Sequence, residues 1–501
     1  MHRSPFVSFE WLRSPCRPLP DDRGSDGSDF PVARPPRLTR SAIVACAAIY
    51  LAARLLAQPP DVAGRLSALV DRDNGRKTAV FVRDLRSGDV WFDHNADRPL
   101  KPASVQKLFT TAAALERFGP AFRFETRLYV IGDELVVIGA GDPSIGDDRL
   151  LARAGRSLDQ LWDDWSAALR ARGVSSLRGI ALDDSVFDRQ WTHPDWPADQ
   201  ALEWYQAPVG AFNLNDNCLD VRIERSKSGI QLRLLPMLPD DLIVNQLSPG
   251  GRHAPTLRRR LDSDVFVLAG PVSRSHTFEP MSVGDPTVFF AHALQAAFRK
   301  RGIALGDSLV RKQFDAAELP AASLVARHHT PLADVMWRSN TFSQNLFAEC
   351  VSKSLAAYEP DGRRTGTPGS WEQGRSVMIS TLGRIGVHLD GATFRDGSGL
   401  SHNNRVTARQ IVDVLTAMDR HAARDVFYES LAAAGELGSM KNRYAALRGR
   451  VRGKTGTLRD VHALAGYVTR DDGTRLAFAV LVNGSSWEVT ERVGRVLAGV
   501  P

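Results

Sequence analysis

The chain has 501 residues, of which 43% are hydrophobic and 24% charged, and a formal net charge of +7. Single hydrophobic cores rarely extend beyond about 300 residues, so this length predicts two or three domains, and the ordinary composition excludes a largely disordered chain. The positive charge is spread along the sequence, and arginine far exceeds lysine, which argues against a nucleic-acid-binding protein. The four cysteines include no Cys-x-x-Cys pair and indicate neither a disulfide scaffold nor a zinc site.

Two segments precede the first predicted folded elements. Residues 1–40 are rich in Arg, Pro, Asp and Ser, which predicts a disordered N-terminal segment. Residues 41–57 begin with an apolar run between Arg40 and Arg54, the pattern of a signal peptide or of an uncleaved signal anchor. The run is shorter than the about 20 residues of a comfortable transmembrane span. We therefore predict an exported, periplasmic protein, processed or membrane-anchored through this segment; a buried helix of the folded domain is the alternative.

Local patterns predict similar elements at both ends of the folded region. Apolar runs flank turn residues in two places, which predicts β-hairpins at residues 79–92 and 463–482. Apolar residues at helical spacing predict a helix from about Ser104 to about Arg117 and a terminal helix at residues 487–497.

Residues 124–330 form a different kind of segment, in which short β-like runs alternate with Gly and Pro breaks. Helical periodicity returns after this segment. We therefore predict one domain built from residues 61–123 and 331–501, interrupted by one or two β-rich accessory modules. The short strands predicted within the insertion are residues 135–138, 180–182, 221–223 and 265–268.

Ser104 and Lys107 lie three residues apart at the start of a predicted helix, so their side chains share one helix face. A serine becomes a nucleophile when a base takes its proton, and a lysine with a lowered pKa can be that base. Among the lysines of the sequence, only Lys107 has a serine three residues before it. Serine is also a favoured helix N-cap, so capping is the structural alternative for Ser104.

Two further motifs belong to the same chemistry. Lys-Thr-Gly-Thr at residues 454–457 precedes the last predicted hairpin, where a strand edge can present its side chains to a carboxylate and a backbone N–H to an oxyanion. Ser-Gln-Asn at residues 343–345 opens an apolar stretch and should lie at a loop-to-helix junction. Residues 401–403 also read Ser-x-Asn, so this pattern alone is weak.

In this order, Ser-x-x-Lys, Ser-x-Asn and Lys-Thr-Gly form the signature of penicillin-binding proteins and serine β-lactamases. Because a long insertion separates the first two motifs, the chain resembles the class C low-molecular-mass penicillin-binding proteins, the D-Ala-D-Ala carboxypeptidase and endopeptidase family. The resemblance extends over about residues 62–497. Other stretches that resemble this family are residues 139–143, 182–187, 204–208, 343–349 and 396–401.

The resemblance implies an α/β transpeptidase fold of the penicillin-binding-protein and β-lactamase type, in which helices cover an antiparallel sheet, with large β-rich inserted domains. It implies a serine D-Ala-D-Ala carboxypeptidase, and an endopeptidase, that acts on peptidoglycan stem peptides through an acyl-enzyme. It further implies covalent inhibition by β-lactam antibiotics and a reaction that needs no metal and no cofactor.

The resemblance also assigns the reacting groups. Ser104 would attack the carbonyl of the penultimate D-alanine after Lys107 removes its proton. Burial and the like charge of Lys454 would keep Lys107 neutral part of the time. Ser343 would relay a proton to the leaving amine.

The remaining motif residues would bind the substrate. Asn345 would hold the amide of the acyl donor, and Lys454 and Thr455 would bind the terminal carboxylate. Gly456 would allow close approach to the backbone. Thr457 would supply one backbone N–H of the oxyanion hole, and the nucleophilic serine the other.

A side-chain pocket for the stem peptide is implied as well. In relatives, an acidic residue of the insertion helps to bind the free end of the diamino acid of the stem peptide. Asp183 matches that residue, and we expect it to pair with the ammonium group. Where relatives carry Arg and Gln, this chain has His402 and Arg459, so we expect Arg459 to supply the positive charge of the pocket. The alternative is that Asp183 caps a turn and Arg459 is solvated.

Two other functions remain open at this point. A serine β-lactamase would share the motifs, although the sequence lacks the Glu-x-x-Leu-Asn segment of one major class. An inactive peptidoglycan-binding scaffold would share the fold. We interpret Asp396, in Asp-Gly-Ser-Gly, as part of a tight turn near the site.

Overall fold

The computed structural model of the protein describes residues 62–72, 77–484 and 487–500. The predicted disordered segment, residues 1–40, and the predicted signal segment, residues 41–57, lie outside the described residues and stay predictions. Among the described residues, no helix combines the length and the apolar character that crossing a membrane requires.

The described elements alternate along the chain. The strands are β1 (Thr78–Asp84), β2 (Val90–His94), β3 (Arg123–Ile131), β4 (Glu134–Ile138), β5 (Ser176–Asp183), β6 (Cys218–Ser226), β7 (Gly229–Leu235), β8 (Ile243–Pro249), β9 (Thr256–Arg259), β10 (Phe266–Val272), β11 (His276–Thr277), β12 (Met281–Ser282), β13 (Ala304–Arg311), β14 (Leu324–Pro331), β15 (Ala432–Ala433), β16 (Val451–Leu458), β17 (Val461–Thr469) and β18 (Arg475–Val482). The α-helices are α1 (Val62–Arg72), α2 (Lys107–Phe118), α3 (Asp148–Arg153), α4 (Leu158–Arg170), α5 (Pro286–Lys300), α6 (Leu332–Thr341), α7 (Asn345–Ala357), α8 (Trp371–Arg384), α9 (Ala408–Arg420), α10 (Arg424–Ser430) and α11 (Glu488–Ala498).

An antiparallel six-stranded sheet, in the order β15-β16-β17-β18-β1-β2, joins strands from the beginning and the end of the folded region. Alternate residues of a strand point to opposite faces, and both faces of this sheet are buried. In β1, Phe81 belongs to one core cluster and Val80 to another. Ala479 and Phe478 of β18 alternate in the same way. The apolar pattern therefore requires helices on both sides of the sheet.

Helices from distant parts of the sequence cover this sheet. α1 packs against α11, which contacts β17 and β18, and the apolar residues of both helices share a core with Val80. α9 packs on β1, β17 and β18, and its buried residues belong to the other core, with Phe81. α2 contacts α6, α7, α8 and α9 and is almost completely enclosed. The start of α2 is thereby fixed inside a helical layer.

The predicted local elements are confirmed, with one difference. Both predicted hairpins are present, as β1–β2 and β17–β18, and α11 is the predicted terminal helix. The four short strands predicted in the insertion lie within β4, β5, β6 and β10. The difference concerns the helix expected from Ser104, because Ala103–Gln106 form a 3-10 turn and the α-helix begins at Lys107.

The segment from β3 to β14 builds the accessory sheets. Its five-stranded sheet has the order β13-β5-β4-β3-β14 and is mixed, since β5 runs parallel to both β4 and β13. α5 contacts β13, α4 contacts β14, and the two helices pack on each other. Two smaller sheets follow, β8-β10-β9 and β11-β6-β12, with β7 paired to β6. The described residues form one compact unit, so the division into 61–123 with 331–501 and 124–330 stays a prediction.

Two glycines let other segments approach the turn Ala103–Gln106. A Cβ atom at Gly399 would lie 1.9 Å from the carbonyl oxygen of Ala103, and one at Gly456 would lie 2.7 Å from that of Pro102. Gly399 also has a φ of +87°, a left-handed conformation that other residues rarely adopt. A loop after α8 and the strand β16 therefore both contact this turn.

We predict that Gly399→Ala lowers the free energy of unfolding by about 2 to 5 kcal/mol, because the methyl group adds a steric clash to the cost of a left-handed backbone. Gly391→Ala is the matched control, since its φ is +72° but no atom lies within 4 Å of its Cβ position. The control should cost only about 1 to 2 kcal/mol. Denaturant unfolding measures both, and equal losses would show that the contact with Ala103 carries no energy.

Candidate active site

Ser104 lies on the 3-10 turn that leads into α2. The turn begins in a left-handed conformation, because Ala103 has a φ of +48°. Pro102 occupies the N-cap position of the turn and Gln106 that of α2, and neither cap makes a side-chain hydrogen bond. Ser104 is thus not a helix cap. Its half-buried hydroxyl lies 3.0 Å from Nζ of Lys107.

The amino group of Lys107 has three oxygen neighbours. Its Nζ donates to Oδ1 of Asn345 at 2.7 Å and to the carbonyl oxygen of Ser398 at 2.9 Å, and the third neighbour is Oγ of Ser104. An amide oxygen and a carbonyl oxygen can only accept hydrogen bonds. A neutral amine has two N–H bonds and one lone pair, so the two acceptors leave the lone pair directed at the Ser104 hydroxyl. This arrangement suits removal of the serine proton.

The protonation of Lys107 depends on its surroundings. The side chain is completely buried, and this burial lowers the pKa of Lys107 to about 7, although the charges of Glu349 and Asp396 act in the opposite direction. A substantial fraction of Lys107 is therefore neutral near physiological pH.

Ser343 and Asn345 lie at the junction between α6 and α7, as predicted for the loop-to-helix motif. Ser343 has a left-handed φ of +64°, and its half-buried hydroxyl accepts a hydrogen bond from Nζ of Lys454 at 2.7 Å. Asn345 is the first residue of α7, and its Nδ2 donates to the carbonyl oxygen of Tyr205 at 2.7 Å. Ser343 is thus bonded to Lys454, and Asn345 is bonded to Lys107.

The Lys-Thr-Gly-Thr motif lies on β16, beside the two-residue strand β15. Lys454 is fully buried, and both burial and the like charge of Lys107 hold the pKa of Lys454 well below its ordinary value. Oγ1 of Thr455 donates to Oγ of Ser439 at 2.8 Å, and the side chain of Thr457 is exposed. We expected Gly456 to allow close approach of the substrate to the backbone. In the structure the carbonyl oxygen of Pro102 lies against this glycine instead.

Sequence reasoning assigned no role to Glu349. This residue is fully buried in α7, where its carboxylate accepts hydrogen bonds from the backbone N–H groups of Gly397 and Ser398, both at 2.8 Å, and from Nε1 of Trp371 at 2.7 Å. Burial and the charge of Asp396 raise the pKa of Glu349 to about 7, whereas the three N–H donors favour its charged form. Glu349 therefore fixes the backbone segment that directly precedes the Ser398 carbonyl group, to which Lys107 donates. A glutamate inside the apolar run of residues 346–349 was the available signal.

Asp396 holds a turn together, in line with the interpretation from the sequence. Its buried carboxylate accepts hydrogen bonds from Nε1 of Trp196 at 2.9 Å, from Nδ2 of Asn404 at 2.9 Å and from the backbone N–H of Ser401 at 2.7 Å. Gln106, next to Lys107, also donates to this loop through the carbonyl oxygen of Asp396. The turn after α8 is thereby tied to the Ser104 segment.

Metal ligands were not expected, and among the described residues there is no group of three or more His, Cys, Asp or Glu side chains that could hold a metal ion. Cys218 and Cys350 are buried free thiols, and burial raises the pKa of both well above the ordinary value.

Comparison with known proteins identifies the family. The sequence profile of the D-Ala-D-Ala carboxypeptidase 3 (S13) family matches residues 63–499. The chain belongs to this family. It is 27% identical to a D-alanyl-D-alanine carboxypeptidase of Actinomadura sp. (strain R39), over 82% of this chain and 78% of the relative. It is 23% identical to D-alanyl-D-alanine carboxypeptidase DacB of Haemophilus influenzae, over 82% of this chain and 86% of the relative.

The fold agrees with that assignment. The crystal structure of penicillin binding protein 4 (dacB) from Haemophilus influenzae superposes with a TM-score of 0.69 at 21% sequence identity, covering 87% of this chain and 98% of that chain. The predicted transpeptidase fold with inserted β-rich domains is thus confirmed, and the protein is a serine D-Ala-D-Ala carboxypeptidase.

The expected side-chain pocket of this carboxypeptidase is not found around Asp183. Oδ1 of Asp183 accepts hydrogen bonds from the backbone N–H and the hydroxyl of Ser185, at 3.0 and 2.5 Å. Oδ2 accepts one from the backbone N–H of Phe314 at 3.3 Å and lies 3.5 Å from Arg364. The carboxylate is buried, and Arg459 is exposed. This is the turn-capping and solvated state given above as the alternative.

The position of Asp183 explains why it does not reach the reacting groups. It lines a cavity of about 550 Å³ together with Arg123 and Tyr358. Tyr358 accepts a hydrogen bond from Arg117, at the end of α2, whereas Ser104 precedes the start of that helix. A helix of 12 residues is about 18 Å long, so the cavity and the nucleophile lie at opposite ends of α2.

We predict that Asp183→Ala lowers the free energy of unfolding by about 1 to 3 kcal/mol, because the N–H and guanidinium groups around it lose their acceptor. The ratio of kcat/KM values for peptides with diaminopimelate or lysine at the third position should stay within about 2-fold, since Asp183 lies at the opposite end of α2 from Ser104. Arg459→Ala is the control. Because the Arg459 side chain is exposed, this variant should keep the free energy of unfolding of the wild type. A selective fall for diaminopimelate peptides would restore the original expectation.

Proposed function

We propose that this carboxypeptidase uses Ser104 as the nucleophile and the neutral amine of Lys107 as its base. It removes the terminal D-alanine of peptidoglycan stem peptides and also hydrolyses D-alanyl cross-links between them. The observation that carries the proposal is the hydrogen bonding of Lys107, which leaves its lone pair directed at the Ser104 hydroxyl.

Acylation proceeds by addition and elimination. Oγ of Ser104 bonds to the carbonyl carbon of the penultimate D-alanine while its proton passes to Lys107. The negative charge on the carbonyl oxygen is held by the backbone N–H groups of Ser104 and Thr457, a type of donor typically worth about 3 to 4 kcal/mol. The C–N bond then breaks, and the leaving amine takes a proton through Ser343, which is hydrogen-bonded to Lys454. Water hydrolyses the resulting ester.

The free carboxylate of the substrate binds at Lys454 and Thr455, and Asn345 holds the amide of the acyl donor. Lys454 is fully buried, and its described hydrogen-bond partners are oxygens of Ser343 and Thr455, which are neutral. An arriving carboxylate stabilises the charged form of Lys454. If the two lysines share one proton, the carboxylate moves that proton towards Lys454 and leaves Lys107 as the free base.

The enzyme acts outside the cytoplasm, where its peptidoglycan substrate lies, with residues 41–57 as the export signal and possible membrane anchor. The support is the charged flank and apolar core of that segment. We expect protease added to intact cells to leave the enzyme intact and to digest it once the outer membrane is permeabilised. Digestion only after the cytoplasmic membrane is also broken would contradict export.

We expect mass spectrometry of enzyme digests to show loss of D-alanine from pentapeptides and conversion of cross-linked muropeptides to monomers. Ser104→Ala should abolish both reactions and covalent labelling by a fluorescent penicillin, because the acyl-enzyme cannot form. Its thermal midpoint should stay nearly unchanged, since Ser104 caps no helix. Labelling of the folded variant would contradict the assignment.

The same preparations separate the alternative functions. Rapid turnover of nitrocefin by the wild type would indicate a β-lactamase, whereas slow stoichiometric acylation agrees with a peptidase. A correctly folded wild type that neither labels nor hydrolyses would be a scaffold.

The base is tested through pH. Acylation of the wild type should rise with increasing pH through a midpoint near 7, because burial lowers the pKa of Lys107 to about 7 and only the neutral amine accepts the serine proton. Lys107→Arg should lose acylation at all pH values between 6 and about 9, as Lys107→Ala does, because a guanidinium group stays protonated. Near-normal acylation by Lys107→Arg would show that residue 107 acts as a fixed positive charge.

A further inference from the structure

The residues on either side of Ser343 are held by side chains of the insertion. The ring of Phe342 lies 4.3 Å from the guanidinium group of Arg149, in α3 of the insertion, and 5.4 Å from that of Arg338, in α6. On the other side, Nε2 of Gln344 donates to Oδ2 of Asp216 at 2.5 Å. Ser343 itself has a left-handed φ, a conformation that non-glycine residues rarely adopt, and both of its neighbours are tethered.

Asp216 belongs to a rigid turn. Asn215, Asp216 and Asn217 all have left-handed φ values, of +51°, +56° and +53°. Nδ2 of Asn217 donates to the carbonyl oxygen of Pro208 at 2.7 Å, and Nδ2 of Asn215 donates to that of Cys218 at 3.0 Å. These bonds fix the turn that carries the Asp216 carboxylate, directly before β6.

The Asp216 carboxylate is part of a buried charge cluster. Arg338 donates to Oδ2 of Asp147 at 2.6 Å and to Oδ2 of Asp216 at 3.0 Å. Asp147 is in turn the N-cap of α3 and accepts a hydrogen bond from the backbone N–H of Leu150. One guanidinium group thereby joins α6 to two separate segments of the insertion.

The two carboxylates outnumber the single guanidinium group. Burial and the nearby charge of Asp147 raise the pKa of Asp216 to about 8, and its buried Oδ1 accepts no hydrogen bond from a described residue. Asp216 therefore acts as a neutral acceptor for Gln344, a role that an asparagine amide oxygen can also fill.

We propose that Asp216 is a positioning residue for the second serine of the active site: through Gln344 it holds the 342–344 loop so that the Ser343 hydroxyl stays bonded to Lys454. This inference rests on the proton-relay role proposed above for Ser343. It gives the insertion a part in the reaction, because Asp216 lies in the insertion and contacts no reacting group itself.

The experiment compares Asp216→Ala, Asp216→Asn and Gln344→Ala with the wild type on a peptide ending in D-Ala-D-Ala. Asp216→Ala and Gln344→Ala should lower kcat by about 10- to 100-fold while KM changes less than about 3-fold, because small displacements of a reacting group cost about that much. Asp216→Asn should stay within about 3-fold of the wild type, because asparagine keeps the acceptor for Gln344 and tolerates a left-handed backbone.

Asp220→Ala is the control for damage to the insertion. Asp220 accepts a hydrogen bond from Asn215 in the same turn, at 3.1 Å, but has no described bond to the 342–344 loop. This variant should lower the thermal midpoint and leave kcat unchanged. Equal falls in kcat for Asp220→Ala and Asp216→Ala would overturn the proposal, since both would then report only a loosened insertion.

A double-mutant cycle separates this inference from the function on which it rests. Ser343→Ala alone should lower kcat, and adding Asp216→Ala to it should cost less than a further 2-fold, because the tether then has no hydroxyl to position. If Ser343→Ala lowers kcat but the losses are fully additive, the positioning role is wrong and the relay stands. If Ser343→Ala leaves kcat unchanged, the relay itself is wrong and Asp216 has nothing to position.

Discussion

The candidate active site depends on keeping two lysine side chains, Lys107 and Lys454, buried close to each other. Removing an ammonium group from water is costly, and burial shifts such a group towards its neutral form. The described hydrogen-bond partners of both lysines are hydroxyl, amide and carbonyl oxygens, and not carboxylates. A direct ion pair would have restored the ordinary pKa and removed the free base.

Negative charge is nevertheless present behind these oxygens. Glu349 bonds to the backbone of residues 397 and 398, whose carbonyl then faces Lys107, and Asp396 bonds within the same loop. The carboxylates thus act on Lys107 from a distance, where their attraction opposes the effect of burial without forming an ion pair. The two carboxylates behind the hydrogen-bonded oxygens thus explain how the pKa of a fully buried lysine can remain at about 7.

Much of the fold followed from local patterns, and the failures have physical reasons. The hairpins and α11 were predictable because both faces of their strands and one face of the helix carry regular apolar periods. The helices α4 and α5 were not predicted, since they lie among the turn signals of the insertion. Ser104, Lys107 and Lys454 were predicted from sequence motifs, and the structure brings the three residues together. The carbonyl of Ser398 could not be found, because any residue type supplies a carbonyl oxygen, and Asp183 was misplaced because a short motif does not reveal which end of α2 it faces.

The two serines of the site share a constraint that no local pattern contains. Ala103, before Ser104, and Ser343 both have left-handed φ values, which neither alanine nor serine favours. Such conformations persist only where the surrounding structure fixes them. At Ala103 the fixing contacts come from Gly399 and β16, and beside Ser343 they come from the insertion. The reacting geometry therefore forms only when segments separated by more than half of the chain have packed together, which ties activity to completed folding of both the sheet and the insertion.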